Sequence, residues 1–296
     1  MDQMRALEVF VAVAEAGGLA GAARALFISP PSVTRIVGEL EESLGVVLFH
    51  RTTRIVTLTD VGAIYLEDAK RILHDMETAN DAARGAHRAP KGHLRITAST
   101  LFGQIYITPI VADYLNIYED VTVEGVYLDR VVNLLDEGLD IAIRIGNLPD
   151  SSFIARRVGF VRPVVCATPE YLEKKGIPQT PKDLLNGHHL ISQKLPNSRP
   201  EWRFADENIK FKPRLEFTSV PAAIAAGRSG WGIVRALSYQ VGPDLEQGTL
   251  QTILSDHAPP ELPVHIMYGE GRRASAKVRA FVDLAAEKLI NHPLLN

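Results

Sequence analysis

Between Ala22 and Gly45 the sequence admits few folds. A small-residue helix ends at Leu26, the chain breaks at Ser29-Pro30, and a second helix can start at Pro31, where a missing N–H costs nothing. Within that second helix Val33, Ile36, Val37, Leu40 and Leu44 recur at spacings of three and four, so they form one apolar stripe. Ser32, Arg35 and Glu39 must then face outward, with Thr34 flanking them. A helix held by its apolar back, with hydroxyls and an arginine near its N-terminus, suits the major groove of duplex DNA.

Charge argues the other way at first. The chain carries a net −3, and its first 60 residues hold five arginines (5, 24, 35, 51, 54) and no lysine against seven acids (2, 8, 15, 39, 41, 42, 60). Phosphate neutralisation supplies most non-specific DNA affinity, so a basic surface is expected of a DNA binder. Placement answers the objection: four of the five arginines lie in or after the two-helix unit, whereas Asp2, Glu8 and Glu15 belong to the helix before it. The expectation is a locally basic face with a modest salt dependence.

With 296 residues, 46% of them hydrophobic, the chain can bury a sizeable core and is expected to divide into two or three compact units. No apolar run is as long as a membrane span, and no basic segment followed by an apolar block marks a secretion leader, so a cytoplasmic protein with no membrane partner is expected. The single cysteine, Cys166, leaves no internal disulfide and no multi-cysteine zinc site.

From Asp2 to Ala16, Met4, Leu7, Phe10, Val11 and Ala14 mark one helix face, ended by Gly17-Gly18. After Gly45, two short β-like runs joined at Arg51-Thr-Thr-Arg54 read as a wing, whose Arg51 and Arg54 can reach sugar-phosphate or a minor groove. Thr59 can cap a long helix to about His87. Its Leu66, Ala69, Leu73, Met76, Asn80 and Ala83 follow a short heptad seam, or equally the buried face of an amphipathic helix on its own domain. Arg84 to Gly92 reads as a hinge. Beyond it strand and helix alternate: strands near 94–99, 121–128, 140–146, 164–168, 190, 215–217, 232–236 and 262–268, helices at 107–118, 131–135, 169–175, 181–185 and 220–228, and a final helix capped by Ser275. That rhythm predicts mostly parallel sheets, and about 200 residues divide most naturally into two lobes with a cleft between them.

These residues resemble the LysR-type transcriptional regulators over essentially the whole chain. The likeness lies in Phe10 to Gly18, Ser29-Pro-Pro-Ser-Val-Thr-Arg35, Leu40 to Arg51, Leu58-Thr-Asp-Val-Gly62, Asp140 to Gly146, Cys166 to Leu172, Glu201-Trp-Arg-Phe204 and Lys277 to Phe281. It implies an α+β multidomain protein: a winged helix-turn-helix at 1–58, a linker and dimerisation helix with hinge at 59–90, and a two-lobed α/β effector domain at 91–296, similar to periplasmic solute-binding proteins. Lobe one would comprise 91–161 plus 267–296, and lobe two 162–266. Implied partners are operator DNA, a small-molecule effector that alters DNA bending, a second or fourth copy of the chain, and RNA polymerase. Glutamines common in that family are replaced by Pro30 and Ile36, so base reading falls on Ser32, Thr34, Arg35 and DNA shape.

The expected DNA-binding set is Ser29, Pro30, Pro31, Ser32, Thr34, Arg35, Arg51 and Arg54. In the cleft, Ser99 and Thr100 at a strand-to-helix junction, with Thr218 and Ser219 at the matching junction of the second lobe, offer hydroxyls and free N–H groups to an anion, or simply cap helices. Phe102, Arg144, Gly146 and Ile233 complete the expected effector set; Arg144, in an apolar strand, can meet a carboxylate or an internal acid. The effector is expected to be small, carboxylated or aromatic. Cys166 sits among Val164, Val165 and Ala167 and reads as buried, and the adjacent His188 and His189 point apart on a strand and cannot share a metal. Without a phosphate loop, zinc helix or serine elbow, neither enzyme activity nor a cofactor is expected. A solute-binding protein without DNA activity is the competing class; the first 90 residues argue against it.

Overall fold

A computed structural model describes residues 2–51, 56–84, 89–130, 132–134, 137–148, 153–194, 200–269 and 274–295. Packing divides the chain into two compact units: Met1–Ala89 with Val132–Leu139 and Arg273–Ala276, and Pro90–Val131 with Asp140–Arg272 and Lys277–Asn296.

In the first unit Asp2 caps α1 (Gln3–Ala16) by accepting from the backbone N–H groups of Met4 and Arg5, and Gly17 ends it at a φ of 63°. α2 (Leu19–Ala25) buries Ala22 and Ala23, whose small side chains let the helices approach closely. α3 (Pro30–Leu44) takes Ser29 as its N-cap and stops at Gly45, at a φ of 70°. It therefore starts one residue earlier than expected, with Pro30 in the first helical position. β1 (Phe49–Arg51) and β2 (Val56–Leu58) pair antiparallel as the wing, followed by α4 (Asp60–Arg84).

The core joins Leu7, Val9, Phe10, Val13, Val33, Val37, Leu40, Leu48 and Phe49, with Phe10 meeting Phe49 at 5.2 Å and Tyr65 at 5.4 Å between ring centroids. α1 is buried over a wider arc than one stripe: Ala6, Val9 and Val13 are fully enclosed, while Met4, Val11 and Ala14 are only partly covered. Leu44, expected on the buried stripe of α3, is 37% exposed at the last position of the helix. In α4, Leu66, Ala69 and Leu73 pack on this same core, so three of the expected seam residues face their own domain. Met76 and Asn80 are exposed, and the side chain of Ala83 lies outside the described residues.

The second unit holds two five-stranded sheets. The chain runs β3 (Gly92–Ala98), α5 (Thr100–Phe102), a π-turn, α6 (Thr108–Ile117), β4 (Val121–Tyr127), β5 (Ile141–Ile145) and β6 (Ile154–Val161). It then crosses to β7 (Pro163–Ala167), α7 (Pro169–Lys175), β8 (Leu190–Gln193), β9 (Glu201–Arg203), β10 (Asn208–Lys210), β11 (Leu215–Phe217), α8 (Val220–Arg228), β12 (Ile233–Leu237), α9 (Ser238–Glu246) and β13 (Gln251–Ile253). β14 (Leu262–Tyr268) and α10 (Ala276–Ile290) return to the first lobe.

Sheet orders are β4-β3-β5-β14-β6 in lobe one and β11-β8-β12-β7-β13 in lobe two. Each sheet has two parallel and two antiparallel pairings, so the mostly parallel expectation is corrected. The physical reason is the exchange of chain between lobes: a strand returning from the other lobe, such as β14 between β5 and β6, enters against the direction of its neighbours. Because β14 begins at Leu262, residues 262–266 also belong to the lobe-one sheet and not to lobe two as expected. The two crossings are tied by Arg162 Nε donating to Glu261 at 2.5 Å.

The helix expected at 131–135 is not formed at Val132–Leu134; residues 131 and 135 lie outside the described residues. Ser275 does not cap α10 with its hydroxyl, which is buried without a hydrogen bond. The apolar face of α10 is buried as its spacing predicts, at Val278, Phe281, Val282, Ala285 and Leu289.

Candidate nucleic-acid interface and inter-lobe cavity

α3 is rigidly backed and openly faced. Val33, Val37 and Leu40 are completely buried, while Pro30, Pro31, Thr34 and Arg35 are exposed and Ser32 is half-exposed. The Ser29 hydroxyl accepts from the Ser32 backbone N–H at 3.3 Å and lies 2.8 Å from the Ser32 hydroxyl, so the two serines form one polar ledge at the helix N-terminus. Thr34 Oγ1 donates to the Pro30 carbonyl at 3.1 Å, which leaves its lone pairs facing outward as acceptors. Arg35 extends along the helix surface, donating from Nη1 to Glu39 Oε1 at 2.6 Å.

The wing is anchored to the same helix. Glu41 Oε1 accepts from the backbone N–H groups of Leu48 and Phe49 at 2.8 and 3.1 Å, so the strand that follows starts from a fixed point on α3. Arg54 and the Arg51 side chain lie outside the described residues. Two acids of α1 are paired locally, Glu8 with Arg5 at 2.8 Å and Glu15 with Lys70 at 3.0 Å, which removes much of their opposition to phosphate.

A cavity of about 540 Å³ lies between the lobes of the second unit. Lobe one contributes Ser99, Leu128, Asp129, Ile143 and Arg144, and lobe two contributes Ile191, Gln193, Trp202, Arg235 and Leu237. Close to it Phe102 packs edge-on against Tyr239 of lobe two at 5.3 Å, closing the space behind.

Of the expected effector residues, Ser99 and Arg144 line this cavity. The Ser99 hydroxyl is buried beside the Tyr239 phenol without a well-formed hydrogen bond to it. Thr100 does not line the cavity, and its N–H is already taken by Asp129 Oδ1 at 2.9 Å, so that helix end has an internal anion. Thr218, Ser219 and Gly146 are also outside the lining; their junctions are exposed or half-exposed. Phe102 and Ile233 are fully buried packing residues. Sequence reading missed Arg235, although it stands in the apolar run Gly232-Ile-Val-Arg-Ala236, the same signal that singled out Arg144. Trp202 and Gln193 carried no comparable mark.

Cys166 is fully buried, and burial pushes its thiol up to about 12, far from a reactive thiolate. Among the described residues no group of His, Cys, Asp and Glu could hold a metal, and no single helix is long and apolar enough to cross a membrane.

A winged helix-turn-helix together with a two-lobed domain enclosing a cavity defines a ligand-responsive DNA-binding regulator. The chain belongs to the LysR family of transcriptional regulators: residues 4–63 match the bacterial regulatory helix-turn-helix proteins of the lysR family, and residues 87–290 match the LysR substrate binding domain. It is 33% identical over 290 residues to the transcriptional regulator CrgA of Neisseria meningitidis serogroup B, covering 97% of each chain. It is 31% identical over 290 residues to the transcriptional activator AaeR of Escherichia coli K12, covering 96% of this chain and 93% of that one.

The solved structure of CrgA from Neisseria meningitidis, a LysR-type regulator, is similar with a TM-score of 0.62 over 97% of this chain and 99% of that chain, at 33% identity. Full-length AphB of Vibrio cholerae shares the fold, with a TM-score of 0.63 at 24% identity over 98% of this chain and 100% of that one. A solute-binding protein without DNA activity has no support.

Proposed function

We propose that this regulator is a cytoplasmic, non-enzymatic homodimer or homotetramer that binds operator DNA through α3 and the wing. Its operator complex changes when a small organic molecule enters the inter-lobe cavity. Support for the DNA-reading role rests on one observation above the others: Thr34 and Arg35 project from a helix whose opposite face is buried at Val33, Val37 and Leu40. Ser29, Pro30, Pro31 and Ser32 present the helix end to the duplex, and Arg51 and Arg54 of the wing bind its backbone. Arg35 releases Glu39 to fork onto a guanine edge or a phosphate.

Pairing of subunits falls to the outer face of α4, where Val61, Ile64, Ile72 and Met76 are exposed. One helix-turn-helix reads only a half-site, and a two-fold pair supplies the second. Contact with RNA polymerase belongs to this same reading. The test is a gel shift on the protein's own promoter region with the wild type and Arg35→Ala. The variant is expected to lose the shift while sedimenting as the wild-type oligomer. Unchanged operator affinity in Arg35→Ala would remove α3 from the reading role.

A further inference from the structure

Of the three arginines that line the cavity, Arg235 has no acidic partner among the described residues. Arg235 projects from β12 into it, half-buried, and among the described residues no carboxylate pairs with its guanidinium. The two acids in the lining are turned elsewhere: Asp129 accepts the Thr100 N–H, and Glu201 faces Arg203 and Lys210 at 3.8 and 3.9 Å. Burial lowers the pKa of Arg235, and the neighbouring Arg203 repels it further. An arginine nevertheless stays charged, so Arg235 carries a partly desolvated positive charge with no counter-ion among the described residues. The lining also carries Arg130 and Arg144, and beside these polar groups Ile143, Ile191, Trp202, Val220 and Leu237 offer a flat or ring-shaped body an apolar surface.

We propose that the molecule taken up between the lobes is a small aromatic carboxylate whose carboxylate forks onto the Arg235 guanidinium while its ring lies against the apolar wall. A planar guanidinium gives a carboxylate two parallel hydrogen bonds, and the half-buried setting makes that pairing selective against a neutral amide of the same shape. The assignment rests on the reading of the cavity as the effector site.

Calorimetric titration of the full chain with benzoate, phenylacetate and cinnamate, each beside its primary amide, tests it in the wild type, Arg235→Gln and Arg235→Lys. At least one acid is expected to bind the wild type on the order of ten- to a hundredfold tighter than its amide. Arg235→Gln is expected to erase that preference, and Arg235→Lys to keep part of it. Removing an unpaired charge is also expected to leave the urea midpoint of the ligand-free Arg235→Gln protein equal to or above that of the wild type, the opposite of what a structural arginine predicts.

Amides binding as well as acids, acid binding that survives Arg235→Gln, or no acid binding in the panel would each overturn the carboxylate assignment. An Arg235-dependent acid that leaves the operator gel shift unaltered would spare the site and overturn the regulatory reading of the cavity.

Discussion

Arg35 and Arg235 show how much a single side chain's surroundings decide. Both are arginines in otherwise regular elements, but Arg35 is open and paired to Glu39 one helical turn away, whereas Arg235 is half-buried and, among the described residues, no carboxylate pairs with it. An exposed i, i+4 pair contributes little and is readily exchanged for a phosphate or base. A half-buried, uncompensated charge waits for a ligand. Cys166 is the contrasting case, since the same apolar strand context that hides it also holds its thiol protonated. A chromogenic disulfide reagent is therefore expected to leave the native protein unlabelled over a time in which the guanidinium-unfolded chain releases its single thiol. Rapid native labelling would show that the strand opens or that the thiol is exposed.

At the scale of elements, the helix-turn-helix depends on close approaches as much as on its apolar stripe. Gly62, in the first turn of α4, stands where an added Cβ would lie 2.1 Å from the Leu48 carbonyl oxygen, and its N–H is held by Thr59 Oγ1 at 2.9 Å. Gly62→Ala must push α4 away from the segment leading into the wing, at an expected cost on the order of 1–3 kcal/mol, read from the urea midpoint of unfolding. Gly38, within α3, meets nothing within 4 Å of an added Cβ. Gly38→Ala is expected to stabilise the same unit by about 0.5–1 kcal/mol through helix propensity alone. Equal effects at the two positions would contradict the packing assigned to Gly62. The end of α1 was read from Gly17-Gly18, whereas the caps Asp2, Ser29 and Gly45 were not named, and α3 starts one residue before the expected Pro31. β6, β9, β10, β13 and α9 were not read, since short strands and a helix containing Pro243 carry too little periodicity to stand out.

Across the whole molecule, the far end of the chain completes a sheet begun near its middle. β14 lies between β5 and β6, and α10 buries Phe281, Val282, Ala285 and Leu289. A chain ended at Glu261 leaves β5 and β6 without the strand that bonds both. It is expected to lose the protease resistance of lobe one, which limited proteolysis followed by mass mapping will show; a lobe one as resistant as in the full chain would contradict this pairing. By itself the sequence determined the helix-turn-helix, the buried and outward faces of α3, the two-lobed effector domain and its family, because these follow from helical periodicity, local breaks in the chain and ordered motifs. Only the tertiary structure decided the mixed strand directions, the true return at Leu262, the side of α4 that meets its own core, the Asp129 carboxylate on the Thr100 N–H and the unmatched charge of Arg235. Each of these depends on which distant segment arrives beside a residue, and a partner 29 or more positions away leaves no periodic trace in the chain.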